Sequence, residues 1–218
     1  MKELKTDSFK QAANDYLLLL NKNYPERATL KLIGDRYRLS GVQRAILFRG
    51  ITSEKKALSR KAKLTTDLEG KNLFIDGYNV LFTFMNYLLG KTLFIANDGI
   101  IRDVGETYGG IENEKLFHKA MDMLLDALVD KTGEYLSLVI YMDSPVSGSH
   151  THMLELTRKM QQKSIAGDVL LVKSADTELK KLSHGVIATS DSGIIDAVPC
   201  QILSLFPRRG ETIKPVLE

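Results

Sequence analysis

The chain has 218 residues, of which 44% are hydrophobic and 26% are charged, as in folded globular proteins rather than disordered ones. Its single cysteine, Cys200, excludes an intramolecular disulfide and a cysteine-based zinc site. The most apolar short run, residues 16–20, is too short to cross a bilayer, and no signal-peptide pattern opens the sequence. We therefore expect a cytoplasmic protein without a membrane partner.

The charges are distributed unevenly along the chain. Residues 1–69 carry 15 Lys and Arg against 8 Asp and Glu, a net charge of +7. Residues 70–218 carry 15 against 19, a net charge of −4. A basic front part and an acidic rear part predict two modules with different roles, although basic helices can also be simply solvated.

The front part shows a helical pattern. Apolar residues at helical spacing predict a first helix over residues 7–21 and a second that begins near Pro25. Ser40 and Ser53 are suited to cap a third and a fourth helix, and strand signals are missing before residue 71. We therefore predict a small all-α domain over residues 1–66.

The pattern changes at residue 71, where short apolar runs begin to alternate with helical stretches. Continuous apolar runs are typical of strands buried on both faces, and their alternation with helices predicts an α/β domain with a mostly parallel sheet over residues 70–218. The turn sequence Asn97-Asp98-Gly99 predicts an inserted β-hairpin. The predicted strands lie at 73–75, 136–142, 169–172, 186–189 and 201–205, and the predicted helices at 112–131, 151–163 and 175–182.

Aspartates occur where these strands end. Asp76, Asp143 and Asp191 follow or close apolar runs, and Asp176 begins a helix. Ligands of parallel α/β sheets bind beyond the carboxyl ends of the strands, where these side chains would meet. Clustered carboxylates need a cation, and hard oxygen ligands favour Mg²⁺ or Mn²⁺. The alternative for each aspartate is a helix cap or a turn.

Other site chemistries lack their residues. The glycine patterns of dinucleotide and P-loop sites are missing, and Tyr78 stands where an aspartyl phosphatase usually has a second aspartate. His150 and His152 lie two apart in a polar segment, where either could contact phosphate or substrate, but we interpret this segment as a solvated loop.

Four short strings resemble, in order, the motifs of PIN-like nucleases of the NYN type. They are Leu-Phe-Ile-Asp-Gly-Tyr-Asn-Val at 73–80, Val-Ile-Tyr-Met-Asp at 139–143, Ser-Ala-Asp at 174–176 and Ile-Ala-Thr-Ser-Asp-Ser at 187–192. The basic front, with Arg-Tyr-Arg-Leu-Ser at 36–40, resembles a domain of unknown function found ahead of such nucleases.

The resemblance implies a Rossmann-like sheet and a magnesium- or manganese-dependent endonuclease that hydrolyses phosphodiester bonds, most often of RNA, with a metal-activated water. Asp76, Asp143, Asp176 and Asp191 match the acidic catalytic and metal positions, and Asn79 matches the polar residue that helps position the first carboxylate or a metal-bound water. The family's further acidic residue has four candidates here, of which we prefer the first because it follows a hairpin strand. They are Asp103, Glu106, Glu112 and Glu114.

We expect the N-terminal domain to bind the nucleic-acid backbone through its cations. The alternatives are a catalytically inactive PIN-like protein that binds nucleic acid or acts as a scaffold, and a phosphohydrolase of small nucleotides. A homodimer is left open. The arginines expected to hold phosphate are Arg36, Arg38, Arg44 and Arg49, and the further cations are Lys55, Lys56, Arg60, Lys61 and Lys63.

Overall fold

The computed structural model describes residues 6–105, 111, 113–131, 133–206 and 214–217. The chain divides into two compact units. The first unit comprises Met1–Ala62, Gly90–Glu106 and Arg208–Glu218, and the second comprises Lys63–Leu89 and Thr107–Pro207. None of the helices in the described ranges is long and apolar enough to cross a membrane.

The elements follow one another in chain order. The first unit holds α1 (Asp7–Asn21), α2 (Glu26–Arg36), α3 (Gly41–Gly50), α4 (Glu54–Lys61), β2 (Leu93–Ile95), β3 (Ile101–Asp103) and β8 (Lys214–Pro215). The second unit holds β1 (Asn72–Asp76), α5 (Gly77–Leu88), α6 (Glu114–Val129), β4 (Ser137–Asp143), α7 (Ser149–Gln162), β5 (Asp168–Val172), α8 (Ala175–Leu179), β6 (Val186–Ala188), α9 (Ser192–Ala197) and β7 (Gln201–Leu203).

The four predicted helices of the first unit are present. Ser40 caps α3 as predicted, in a capping box with Gln43. The apolar faces of the helices form a core that contains the fully buried Phe9, Tyr16 and Ile46. Burial of this apolar surface is the main source of the unit's stability.

The predicted hairpin is also present, but it packs with these helices, so the unit is not all-helical. β2 pairs antiparallel with β3 and parallel with β8. Phe94 and Val216 belong to the same core as Phe9. Gly50 permits this packing, because a Cβ atom there would lie 2.8 Å from the Phe94 ring. The sequence placed the hairpin in the 70–218 domain because its apolar pattern does not specify which core it completes.

The hairpin turn contains a buried ionic group. The Asp98 carboxylate accepts hydrogen bonds from Arg102 at 2.8 and 2.9 Å and from Arg60 at 3.0 Å. Burial alone would raise the pKa of Asp98, but the two guanidinium groups outweigh burial and the pKa is lowered. The prediction that Arg60 binds nucleic acid is therefore wrong, because this side chain is buried within the unit.

The second unit confirms the predicted α/β fold with a Rossmann-like sheet. Its five strands pair in parallel in the order β5-β4-β1-β6-β7. The chain runs from β1 outward to β5 on one side and then returns to β6 and β7 on the other. The boundary between β1 and β6 is the topological switch point, where open α/β sheets form their ligand crevice.

Candidate functional site

Asp76 lies at this switch point, as the last residue of β1, and its side chain is buried. Its Oδ2 accepts a hydrogen bond of 2.9 Å from the Thr189 hydroxyl, which directly follows β6. The pKa of Asp76 is raised to about 7, chiefly by burial and also by the charges of Asp143 and Asp191, while hydrogen bonds from Thr189 and the Asn79 backbone act in the opposite direction. Two of the predicted acidic residues, Asp143 and Asp191, are therefore near enough to Asp76 to influence its ionisation.

Asn79 fixes the segment that holds Thr189. Its Oδ1 accepts hydrogen bonds from the Ser190 backbone N–H at 2.8 Å and the Ser190 hydroxyl at 3.0 Å. The first turn of α5 is thereby joined to the loop after β6. The arrangement agrees with a positioning role for Asn79, which acts on Asp76 through Thr189.

Asp143 and Asp191 each use one carboxylate oxygen for the backbone. Oδ1 of Asp143 accepts from the Ala175 N–H at 2.8 Å, and Oδ1 of Asp191 caps α9 by accepting from the Gly193 N–H at 2.6 Å. The helix-cap alternative is thus confirmed for Asp191. Within the described residues, Oδ2 of neither aspartate accepts a hydrogen bond, so each keeps an oxygen for another ligand.

Asp176 is engaged differently. It is exposed in α8, and its carboxylate forms an ion pair with Lys180 at 2.9 Å. The Lys180 ammonium, four residues further along the chain, therefore neutralises the charge of Asp176, the fourth predicted acidic residue.

A metal ion would need carboxylate oxygens that converge. Over the described ranges, no group of three or more His, Cys, Asp or Glu side chains is arranged to hold one. The donor chemistry nevertheless fits Mg²⁺ or Mn²⁺, because Asp76, Asp143 and Asp191 offer hard oxygens and repel one another. Binding a metal ion through all three would require their carboxylates to rearrange from the positions that the described residues show.

The preferred further acid, Asp103, lies in the first unit. Its Oδ1 accepts from the Gly105 N–H at 2.7 Å and lies 3.5 Å from an Arg49 nitrogen. These contacts explain its burial without a metal. Glu114 begins α6 in the second unit, and Glu106 and Glu112 lie outside the described residues.

Sequence reasoning missed a buried polar pair beside the acidic residues. His152 lies in α7 and is buried, so its interpretation as part of a solvated loop is wrong. Its Nδ1 lies 2.9 Å from the Tyr78 hydroxyl, and its Nε2 lies 3.5 Å from Glu114. The helical spacing of His152 with the buried Leu156 was the available signal.

The four arginines expected to bind phosphate fall into two groups. Arg36 and Arg38 are exposed, and Arg36 lies over the Tyr37 ring at 5.6 Å. Arg44 and Arg49 are half-buried and pair with Asp35 and Asp103, at 2.9 and 3.5 Å.

The further cations also differ in availability. Lys55, Lys56 and Lys61 are exposed on α4. Lys63 is instead held in the second unit, where its Nζ donates to the backbone carbonyl oxygens of Ile195 and Val198 at 2.6 Å. Lys63 therefore stabilises the end of α9, and its predicted role in binding nucleic acid is not supported.

Comparisons with known proteins find two family models that match successive parts of the chain. The model described as "Domain of unknown function (DUF5616)" matches residues 65–204, and the model described as "Protein of unknown function (DUF434)" matches residues 8–63. An uncharacterized protein of Methanocaldococcus jannaschii is 35% identical over 190 residues, which cover 86% of this chain and 89% of that protein. No solved structure matches the chain.

Proposed function

The chain belongs to the family described as "Domain of unknown function (DUF5616)", and from its own site we propose that it is a metal-dependent endoribonuclease of the PIN-like, NYN type. One observation carries the proposal. Asp76 is buried at the switch point of the sheet, and its pKa is raised to about 7 by burial and by the neighbouring Asp143 and Asp191. A buried carboxylate whose pKa is perturbed by burial and by charged neighbours is typical of functional sites.

Each residue has a defined task in this proposal. Asp76, Asp143 and Asp191 would hold Mg²⁺ or Mn²⁺, which supplies an activated water and stabilises the leaving oxygen when bound. Thr189 orients the Asp76 carboxylate, and Asn79 holds the loop that carries Thr189. No side chain has to act as a covalent nucleophile.

The first unit supplies affinity for the substrate. Arg36 and Arg38 are exposed, and guanidinium groups bind phosphate with fixed bidentate geometry. The lysines of α4 add mobile positive charge. This division would place backbone binding in the first unit and bond cleavage in the second.

A second candidate is an inactive protein that binds nucleic acid through the same surfaces. Two observations favour it: Asp176 is neutralised by Lys180, and the described carboxylates do not converge as a preformed metal site. The two candidates differ in whether bound RNA is cut.

The deciding experiment incubates the full chain with end-labelled single-stranded RNA in Mg²⁺, Mn²⁺ or EDTA. Cleavage should require the metal, and Asp76→Asn should lower its rate by at least about 100-fold. Asp168→Asn is the matched control, because Asp168 is exposed and begins β5. It therefore lies at the amino-terminal end of the parallel strands, whereas Asp76 lies at their carboxyl-terminal end. RNA that is bound but uncut in every metal would establish the inactive candidate, and the absence of both binding and cleavage would refute both.

A further inference from the structure

Lys180 brings a positive charge to the carboxyl-terminal end of the sheet, where β1 and β4 end in Asp76 and Asp143. It directly follows α8, and its Nζ lies 2.9 Å from both carboxylate oxygens of Asp176. The same Nζ lies 3.7 Å from the position that a Cβ atom of Gly193 would occupy. That position is 3.0 Å from Oδ1 of Asp191. The ammonium therefore lies between Asp176 and the segment that carries Asp191.

A surface ion pair is the simplest explanation of this contact. Asp176 and Lys180 are four residues apart and exposed, and pairs of this kind stabilise a helix only slightly. The neighbouring Lys181 forms such a pair with Glu178 at 2.7 Å. Lys180 differs from Lys181 because it also approaches Gly193 in the first turn of α9, the helix that Asp191 caps.

Glycine at position 193 is part of the same arrangement. A Cβ atom at 3.0 Å from the Asp191 carboxylate would be closer than side chains normally pack. The absence of a side chain leaves the space between Asp191 and Lys180 open. An incoming anion could therefore reach the ammonium without displacing protein atoms at Gly193.

We propose that Lys180 binds a phosphate of the RNA substrate and that Asp176 is a positioning residue for Lys180 rather than a metal ligand. The inference rests on the proposed nuclease function. An ammonium has three N–H donors, and the two oxygens of Asp176 leave one for a phosphate oxygen. Three carboxylates repel a phosphodiester, and a lysine beside Asp191 offsets part of that repulsion.

The proposal makes separate statements about metal and substrate. Asp176→Asn should leave the Kd for Mn²⁺ alone, measured by calorimetry, within about twofold of the parent, because Asp176 is not a ligand. Lys180→Met should raise the KM for single-stranded RNA about tenfold at saturating Mn²⁺, because a charged hydrogen bond to phosphate is lost. Lys180→Arg should restore most of the affinity for RNA. A residue with a merely structural role would not change the KM for RNA while the Kd for Mn²⁺ stays constant.

Lys181→Met is the matched control, because it removes an adjacent exposed lysine that pairs within the same segment. Its KM should equal that of the parent. Phosphate binding by Lys180 would be overturned if Lys180→Met left the KM unchanged. It would also be overturned if Lys181→Met raised the KM as much as Lys180→Met does. A tenfold weaker Mn²⁺ affinity in Asp176→Asn would return Asp176 to the metal ligands and overturn its positioning role.

The inference can be tested even if the nuclease proposal fails. RNA binding is then measured without cleavage, in EDTA and over a range of salt concentrations. Loss of one phosphate contact should reduce the slope of log affinity against log salt by about 0.7 for a single strand. An unchanged slope in Lys180→Met would refute phosphate binding by Lys180, while an uncut substrate in the parent refutes only the nuclease.

Discussion

The Thr189 hydroxyl donates a hydrogen bond of 2.9 Å to Oδ2 of Asp76, joining the residue after β6 to the last residue of β1. The donor stabilises the ionised carboxylate in a position where burial and two neighbouring carboxylates disfavour it. The pKa of Asp76, about 7, is thus a balance to which Thr189 contributes directly.

Thr189→Val should raise the pKa of Asp76 further, because valine keeps the shape of threonine but cannot donate. The titration of the Asp76 carboxyl carbon, followed by NMR, measures this shift. Thr157→Val is the control, since the Thr157 hydroxyl donates to the Met153 carbonyl within α7. A pKa that stays constant or falls in Thr189→Val would contradict the proposed balance.

Asp76→Asn should stabilise the protein at pH 8 and have little effect near pH 4. The pKa of Asp76 rises from 3.8 to about 7 on folding, so the folded state binds the proton more tightly and loses stability as the pH rises between these values. The loss is at most about 1.4 kcal/mol per pH unit. Urea unfolding of parent and variant at both pH values measures the difference, and a variant that is less stable at pH 8 would contradict it.

Asp98→Asn should destabilise the first unit by about 3 kcal/mol or more, because it removes the carboxylate between two buried guanidinium groups. Since the pKa of Asp98 is lowered on folding, its ionisation stabilises the protein above pH 4 and this contribution disappears as the pH falls through the folded-state pKa. Chemical unfolding measures the effect. The exposed Asp35 provides the control, because Asp35→Asn removes only solvent-screened ion pairs and should destabilise the protein much less than Asp98→Asn.

Arg36→Gln combined with Arg38→Gln should weaken RNA binding and make it less sensitive to salt. Each lost phosphate contact reduces the salt slope by about 0.7 for single strands. Fluorescence anisotropy with a labelled oligonucleotide measures both quantities. Lys31→Gln is the control because Lys31 is exposed but already paired with Asp35. If both variants changed RNA affinity and the salt slope equally, the effect would reflect overall charge and not phosphate binding by Arg36 and Arg38.

The sequence predicted the strands and the acidic edge well because both depend on local pattern. A run such as Leu73–Ile75 is apolar throughout, as a strand buried on both faces requires, and Asp76 closes it. Parallel pairing then brings strand ends together whatever the side-chain details. The influence of the Asp143 and Asp191 charges on Asp76 agrees with this topology, whereas their convergence on a metal ion stays a prediction.

The remaining features depend on contacts between distant segments. The apolar pattern around Phe94 predicted a strand but not that its partners are Phe9 and Val216. The small and polar residues around His152 indicated a loop, although an aromatic pocket beside Tyr78 buries the ring. The engagement of Asp176 by Lys180 was likewise not predicted, because Asp176, at the start of a helix, was grouped with the aspartates that follow strands.

The core that joins Phe9, Phe94 and Val216 also has a consequence for the order in which the protein folds. Helices α1 to α4 emerge from the ribosome first, but the aromatic ring that packs against Gly50 emerges only after β1 and α5. Val216 follows after the whole parallel sheet has been made. The core of the first unit can therefore be completed only after the strands of the second unit have been synthesised.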